Sequence, residues 1–547
     1  MADLSYISCP KTDYIRYMSI PDILQERKNE APEKEIFVQR FEGGGRRSLT
    51  YAELLKRSTH IAKYLTARGI VPGDCVAIIG PNSIEWIIGQ FAILLTGAVS
   101  VQVHKTSESF AETAKLLKST HSKAVLLDPE SDENYISDME AYFTSEKSPK
   151  GKPIVLLLQK SALSSLPSMT DAILTTEEEV VALPKIQPES TAIIFTTSGS
   201  TGVPKMVEMT HLSIGNASSA TFMGIGGGDR SYGTCYNDRP FTWMASSPIF
   251  SILNGNKRVF VDTAIGMKKE NIMVIWDIIM SEKCTNAMLL PYALLEIIDN
   301  LDVILKHGYV LYAIGTGGQH VGSHLTAICG TCTEKFFMGY GCTEVGGVSS
   351  IELTKEMEEG HVGSLFPGCE VKVIGGNGAT LNRGQLGEIL VKSPWILKSY
   401  RSSPELNAAS FAEGGWFRTG DIGNITVDGK LFVKGKSNDV IMRGGLKVLT
   451  RVVEVAMSKL PGVREVVVIS VPDDRLLEEV CACYILDEDV NTSEYELDKK
   501  CRAILGDNVL GSTPSYFLRF DKFPRLRNGK TDTKLVKSQA MERLERG

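Results

Sequence analysis

The sequence predicts an α/β protein. A large N-terminal part with mainly parallel sheets and a β-rich subdomain precedes a small α+β C-terminal domain. Three observations carry that expectation. Up to about residue 365, β-branched and aliphatic runs alternate with helical segments, the pattern of βαβ units. Beyond it, short strands follow one another across Gly-rich turns. After Gly435-Lys436-Ser437-Asn438 comes a tail of about one hundred residues, a normal small-domain size.

The elements can be justified in order. Thr50-Tyr-Ala-Glu53 is a capping box, and Leu54, Leu55, Ile61, Tyr64 and Leu65 follow at helical spacing until Gly69 stops the helix. Val76–Ile79 is a buried strand. Ser83 caps the next helix, which runs through Trp86 and Phe91 to Leu95, and Val99–Val103 is a further strand. Apolar runs at 123–127 and 153–158 extend the alternation. Later strands fall at 371–374, 387–392 and 430–434. The tail reads as a helix at 451–460, strands at 466–471 and 480–485, and a helix at 494–505.

Composition narrows the classes. Hydrophobic content of 43% and charged content of 23% over 547 residues are those of a globular chain with a large core. A net charge of −6 argues against a general nucleic-acid or anionic-membrane binder. The most apolar stretch, Ile87–Val103, is broken by Gln90, Thr96, Gly97, Ser100 and Gln102. It reads as a buried helix and strand, and no transmembrane segment is expected. The N-terminus shows no secretory signal, and Glu545-Arg546-Gly547 is no peroxisomal address, so the expected location is cytoplasmic. Eleven scattered cysteines suit a reducing compartment, and the lone CxxC, Cys329–Cys332, reads as incidental thiols. Oligomeric state is not legible.

The chemistry concentrates in Thr197-Ser-Gly-Ser-Thr-Gly-Val-Pro-Lys205, directly after the strand-like run Thr191–Thr197. Glycines let backbone N–H groups approach an anion, hydroxyls add donors, and a lysine adds a point charge. This is a polyphosphate cradle, although GxxxxGK[ST] does not fit it. Read alone, a Gly/Ser-rich stretch of this kind is more often a polar surface turn.

The stretch resembles the phosphate-loop signature of the adenylate-forming superfamily, which includes acyl-CoA synthetases, peptide-synthetase adenylation domains and firefly-type luciferases. The trailing Thr210-His211 also matches, while Met206 stands where the family usually has Gly. Four further signatures follow in order. They are Gly317-Gly318-Gln319, Tyr340-Gly341-Cys-Thr343-Glu344, Trp416-Phe-Arg-Thr-Gly-Asp421 with the hinge segment Gly435–Gly445, and Pro524–Lys530. The resemblance spans roughly residues 20–535.

The resemblance implies the following. Thr197, Ser198, Gly199, Ser200, Thr201 and Gly202 would hold the phosphates of ATP with Lys205. Gly317, Gly318, Gln319, Tyr340 and Gly341 would lie at the adenine. Thr343 would touch the α-phosphate, and Glu344 would help hold Mg²⁺ as a hard oxygen ligand. Asp421 would accept from the ribose hydroxyls. Lys436 stands where the family usually has a ribose-contacting Arg, which keeps the charge but loses the fork. Lys530 would reach the reacting carboxylate. Asn438 falls at the pivot, where Asp or Lys is usual, and Gly444 and Gly445 would face the CoA channel. Ser251 occupies the expected position of a His, and Phe250 and Ser251 are expected to line the acyl pocket.

The domains implied are residues 1–435 for adenylation, a hinge at 436–438, and a mobile C-terminal domain at 439–547. The implied reaction activates a small-molecule carboxylate to an acyl-adenylate, with transfer to CoA. A luciferase-type oxygenase or a carrier-protein adenylation domain would show the same motifs. Retention of Lys205, Glu344, Asp421 and Lys530 argues against a non-catalytic binder.

Overall fold

The computed structural model describes residues 4–10, 16–103, 110–128, 137–139, 141, 154–161, 164–175, 181–197, 205–224, 233–262, 265, 271–318, 323–354, 356, 358–436, 440–443, 446–473, 477–487, 490, 492–505, 513–526 and 530–546. Among them the strands form four sheets. Two are α/β sheets with parallel centres. In the first, the strands at 75–79, 99–103, 124–127, 154–157 and 191–197 run parallel. The strand Lys205–Thr210 closes that sheet antiparallel to Thr191–Thr197. In the second, Leu311–Gly317 and Thr333–Cys342 are parallel neighbours, and Gly346–Glu352 turns back antiparallel on the latter.

The expected local signals operate. Thr50 and Glu53 form the reciprocal capping box of the helix Tyr51–Ala67. The Ser83 side chain accepts from the Trp86 amide to start Ile84–Leu95, whose first eleven residues are all buried. A helix buried all round, apolar but for Glu85 and Gln90, belongs inside a protein core. Burial of both sheet faces explains the continuous apolar strands. Val76 and Ile78 pack into one cluster, whereas Cys75, Ala77 and Ile79 pack into another on the opposite face.

The third sheet is antiparallel and includes Glu370–Ile374, Gly387–Lys392, Trp416–Ile425 and Leu431–Lys436. Its outer strand is Tyr6–Ser8, paired with Glu370–Ile374, a partnership the sequence did not announce. The fourth sheet belongs to the C-terminal part and is built on Val463–Asp473 and Leu477–Leu486. Two apolar clusters serve this part, and their members all come from residue 441 onward. No described helix is long and apolar enough to cross a membrane.

Candidate active site

The candidate site lies at the carboxyl ends of the parallel strands, where α/β sheets place their ligands. Gly317, at the end of its strand, is the register partner of Gly339 in the adjacent strand. Gly317 has φ +154°, and a Cβ there would lie 2.6 Å from the Gly339 carbonyl oxygen, so no side chain fits. Gly341 is needed for a similar reason. Its strand turns at Thr343-Glu344-Val345, and a Cβ on Gly341 would meet the Gly346 oxygen at 2.2 Å.

Tyr340, Asp421 and Lys436 form one connected group. Asp421 and Lys436 are cross-strand partners in the antiparallel sheet. The Lys436 Nζ lies 2.7 Å from Asp421 Oδ1 and also donates to the Thr419 carbonyl at 3.3 Å. The Tyr340 hydroxyl donates to Asp421 Oδ2 at 2.7 Å, joining the two sheets. Burial and then the Asp421 charge hold the Tyr340 phenol well above its ordinary pKa. Burial pulls the Lys436 ammonium down, but Asp421 outweighs it and the net shift is upward. Lys436 therefore stays charged beside a buried carboxylate.

A second group surrounds Glu344. The Tyr400 hydroxyl donates to Glu344 Oε1 at 2.8 Å, and the Leu397 amide donates to the Glu344 carbonyl at 2.6 Å. Burial first, and then Glu344, raise the Tyr400 pKa. Lys205 Nζ lies 5.7 Å from the centre of the Tyr400 ring, within reach of a cation–π contact. Thr197 and Lys205 are register partners, so the two ends of the phosphate-loop motif are held side by side.

Among the described residues no group of three or more metal-ligating side chains occurs. Glu344 fits Mg²⁺ nonetheless. One carboxylate, with the remaining positions filled by phosphate oxygens and water, is a usual way to bind this ion.

Lys530 comes from the C-terminal part. Its Nζ donates to the Gly318 carbonyl at 2.9 Å and lies 6.0 Å from the centre of the Trp243 ring. Burial, then the nearby cations Lys436 and Arg239, lower its pKa from the ordinary lysine value. Cations gathered at one place suit a polyanionic ligand.

The loop carrying Trp243 is pinned from beneath. Arg258 donates to the carbonyls of Asn237, Ser246 and Arg239 at 2.8, 2.5 and 3.3 Å. Asn82 donates to the carbonyls of Asp238 and Arg239 and accepts from the Phe241 amide. Phe250 and Ser251 lie just beyond, in the helix Ile249–Asn254, with Ser251 buried.

The structure thus brings together Gly317, Gly318, Tyr340, Gly341, Asp421, Lys436 and Lys530, with Thr343 in the turn beside Glu344. Ser198, Gly199, Ser200, Thr201, Gly202, Gln319, Asn438, Gly444 and Gly445 lie outside the described residues. Sequence reasoning missed Tyr400, Trp243 and Arg239. None sits in a recognisable motif, and each joins the site through folding.

The family model for AMP-binding enzymes matches residues 24–401. The chain belongs to this family. The C-terminal domain model of the same enzymes matches residues 452–530, which places the chain in the adenylate-forming superfamily. A long-chain-fatty-acid–CoA ligase of Mycobacterium tuberculosis is 28% identical, over 94% of this chain and 97% of its own length. A 4-coumarate–CoA ligase of Solanum tuberosum is 26% identical, over 80% of this chain and 79% of its own. The fold is shared with an anthranilate CoA ligase solved with anthranoyl-AMP, at TM-score 0.82 and 19% identity, covering 97% of this chain and 98% of that one.

Proposed function

We propose that this member of the adenylate-forming superfamily joins a fatty or aryl carboxylic acid to CoA through an acyl-adenylate. The observation that carries the reading is the placement of Lys530 on the Gly318 carbonyl, beside the group Tyr340, Asp421 and Lys436. ATP would bind with its ribose hydroxyls donating to Asp421, displacing or sharing the bonds now made by Tyr340 and Lys436. Thr197 to Gly202 and Lys205 would hold the phosphates. Gly317, Gly318, Gln319 and Gly341 would leave room for the adenine.

A carboxylate oxygen of the substrate attacks the α-phosphorus, and the bond from that phosphorus to the α,β-bridging oxygen breaks, releasing pyrophosphate. The step brings anions together, so positioning and charge neutralisation supply most of the catalysis. Lys530 neutralises the reacting carboxylate and the α-phosphate oxygens, and Thr343 hydrogen-bonds the latter. Mg²⁺, held by Glu344 and the nucleotide, would neutralise further phosphate charge. Transfer follows when the CoA thiolate attacks the acyl carbon and AMP leaves. Asn438, Gly444 and Gly445 are assigned to the hinge and thiol channel of a C-terminal domain that begins at residue 439. Trp243 joins Phe250 and Ser251 as an acyl-site residue, because its ring faces the ammonium that receives the carboxylate.

The test is pyrophosphate release from Mg-ATP over short, medium, long and aromatic acids, with and without CoA. Release should depend on one class of acid and consume CoA as thioester. Release without CoA consumption, with adenylate accumulating, would assign a different acceptor. ATP bound but never cleaved with any acid would remove the catalytic reading.

A further inference from the structure

Lys530 reaches the nucleotide side only because the C-terminal part is docked on the rest of the chain, and the described docking contacts are polar. Two of the apolar clusters contain no residue beyond 433, and the other two contain none before 441. Each part therefore keeps its own core. Among the described residues, the ion pairs crossing between them have one polarity. Arg464 meets Asp299 at 2.6 Å. Arg451 and Lys459 both meet Glu359, at 3.7 and 3.4 Å. All the bases are on the C-terminal side and all the acids on the N-terminal side.

We propose that the Arg464–Asp299 pair, with Arg451 and Lys459 on Glu359, positions Lys530 in the site and so sets the rate of pyrophosphate release. This rests on the function proposed above. The two acids sit on different supports. Glu359 precedes Gly360, whose carbonyl accepts from Val433 at 2.9 Å in the strand Leu431–Lys436, so this anchor lies beside the chain crossing. Asp299 ends the helix Pro291–Asp299, on a separate element. One anchor at the crossing leaves the small part free to swing. A second anchor on another element fixes its orientation, and with it the place of Lys530.

Each pair is partly exposed, with side-chain exposures of 24% and 40% for Arg464 and Asp299. Such pairs are individually weak and screened by salt. Docking through them is strong enough to bias the position of Lys530 and weak enough to reverse. Residues that bias a two-state arrangement alter the competent fraction without touching substrate. Arg464, Asp299, Arg451, Lys459 and Glu359 are positioning residues in this sense.

Charge reversal tests the proposal. Asp299→Arg and Arg464→Asp should each lower kcat for pyrophosphate release about five- to tenfold, with KM for ATP nearly unchanged. The double reversal should return kcat to within about twofold of wild type, because the pair is rebuilt with opposite sense. An arginine at the end of a helix is favourable to that helix, so the first variant should fold, and thermal midpoints should agree across the set. Small-angle scattering reads docking without activity. The radius of gyration should rise in each single variant and return in the double.

Single variants with wild-type kcat and scattering would overturn the proposal, as would a double variant no better than the worse single. A wild-type chain that releases no pyrophosphate with any acid would instead defeat the functional reading, while the scattering comparison would still decide whether these pairs dock the C-terminal part.

Discussion

The group Tyr340, Asp421 and Lys436 and the residue Lys530 occupy the same candidate site but are built in opposite ways. Asp421 and Lys436 face each other across one antiparallel ladder, and Tyr340 reaches them from the end of a strand in the neighbouring sheet. Their partners are in place before any ligand arrives, and Asp421 is buried. Lys530 is delivered from 212 residues away in sequence, by a part with a separate core, and donates to a backbone carbonyl. On the proposed function, the difference assigns binding the nucleotide and reacting with it to separately built parts of the chain. The first belongs to a preformed, cross-braced cluster. The second, on the proposal above, depends on how the C-terminal part docks.

The largest expected effect tests that separation directly. Lys530→Ala should lower kcat for pyrophosphate release by about 10²–10³-fold, the usual loss of one preorganised charge-stabilising donor, while ATP affinity changes little. Steady-state release and equilibrium ATP binding measure the two quantities. An equal loss in both would break the comparison, because Lys530 would then belong to the binding cluster.

The converse comes next. Asp421→Asn should raise KM for ATP by about ten- to a hundredfold, the worth of hydrogen bonds to a charged acceptor, with a smaller change in kcat. It also leaves Lys436 without its paired charge. A fall in kcat with KM unchanged would show that Asp421 acts on the reacting centre.

The smallest effect sharpens the comparison through pH. Burial, then Lys436 and Arg239, hold the Lys530 pKa below the ordinary lysine value. The protonated form is the one that neutralises the reacting anions, so kcat/KM for ATP should decline as pH rises through that lowered value. Lys530→Arg should move the decline to higher pH, because a guanidinium does not lose its proton in this range. An alkaline limb unchanged in the arginine variant would assign it to another group.

Much of the candidate site was legible because each contributing motif is a short string whose chemistry is local. Gly317, Tyr340, Gly341, Asp421 and Lys436 were all named from such strings, and folding sets them at one place. Capping signals were equally local, and Thr50 and Ser83 cap the helices they were expected to cap. Tyr400 and Trp243 were not legible. The Tyr400 hydroxyl meets Glu344 across 56 residues, and Trp243 meets Lys530 across the two parts of the chain. An isolated aromatic residue carries no spacing rule that names its partner. The strand Tyr6–Ser8 was hidden for a related reason, since three residues are too few to show alternation.

By itself the sequence determined the alternation of elements, the kinds of chemical group available and their order along the chain, because periodicity, capping and motif spacing act over a few residues. Only the tertiary structure decided which groups meet. It set Tyr340 on Asp421, Tyr400 on Glu344 and Lys530 on Gly318. Those meetings depend on sheet register, on the crossing of two sheets and on ion pairs between separately packed parts. Each is a long-range free-energy balance that no short string of residues contains.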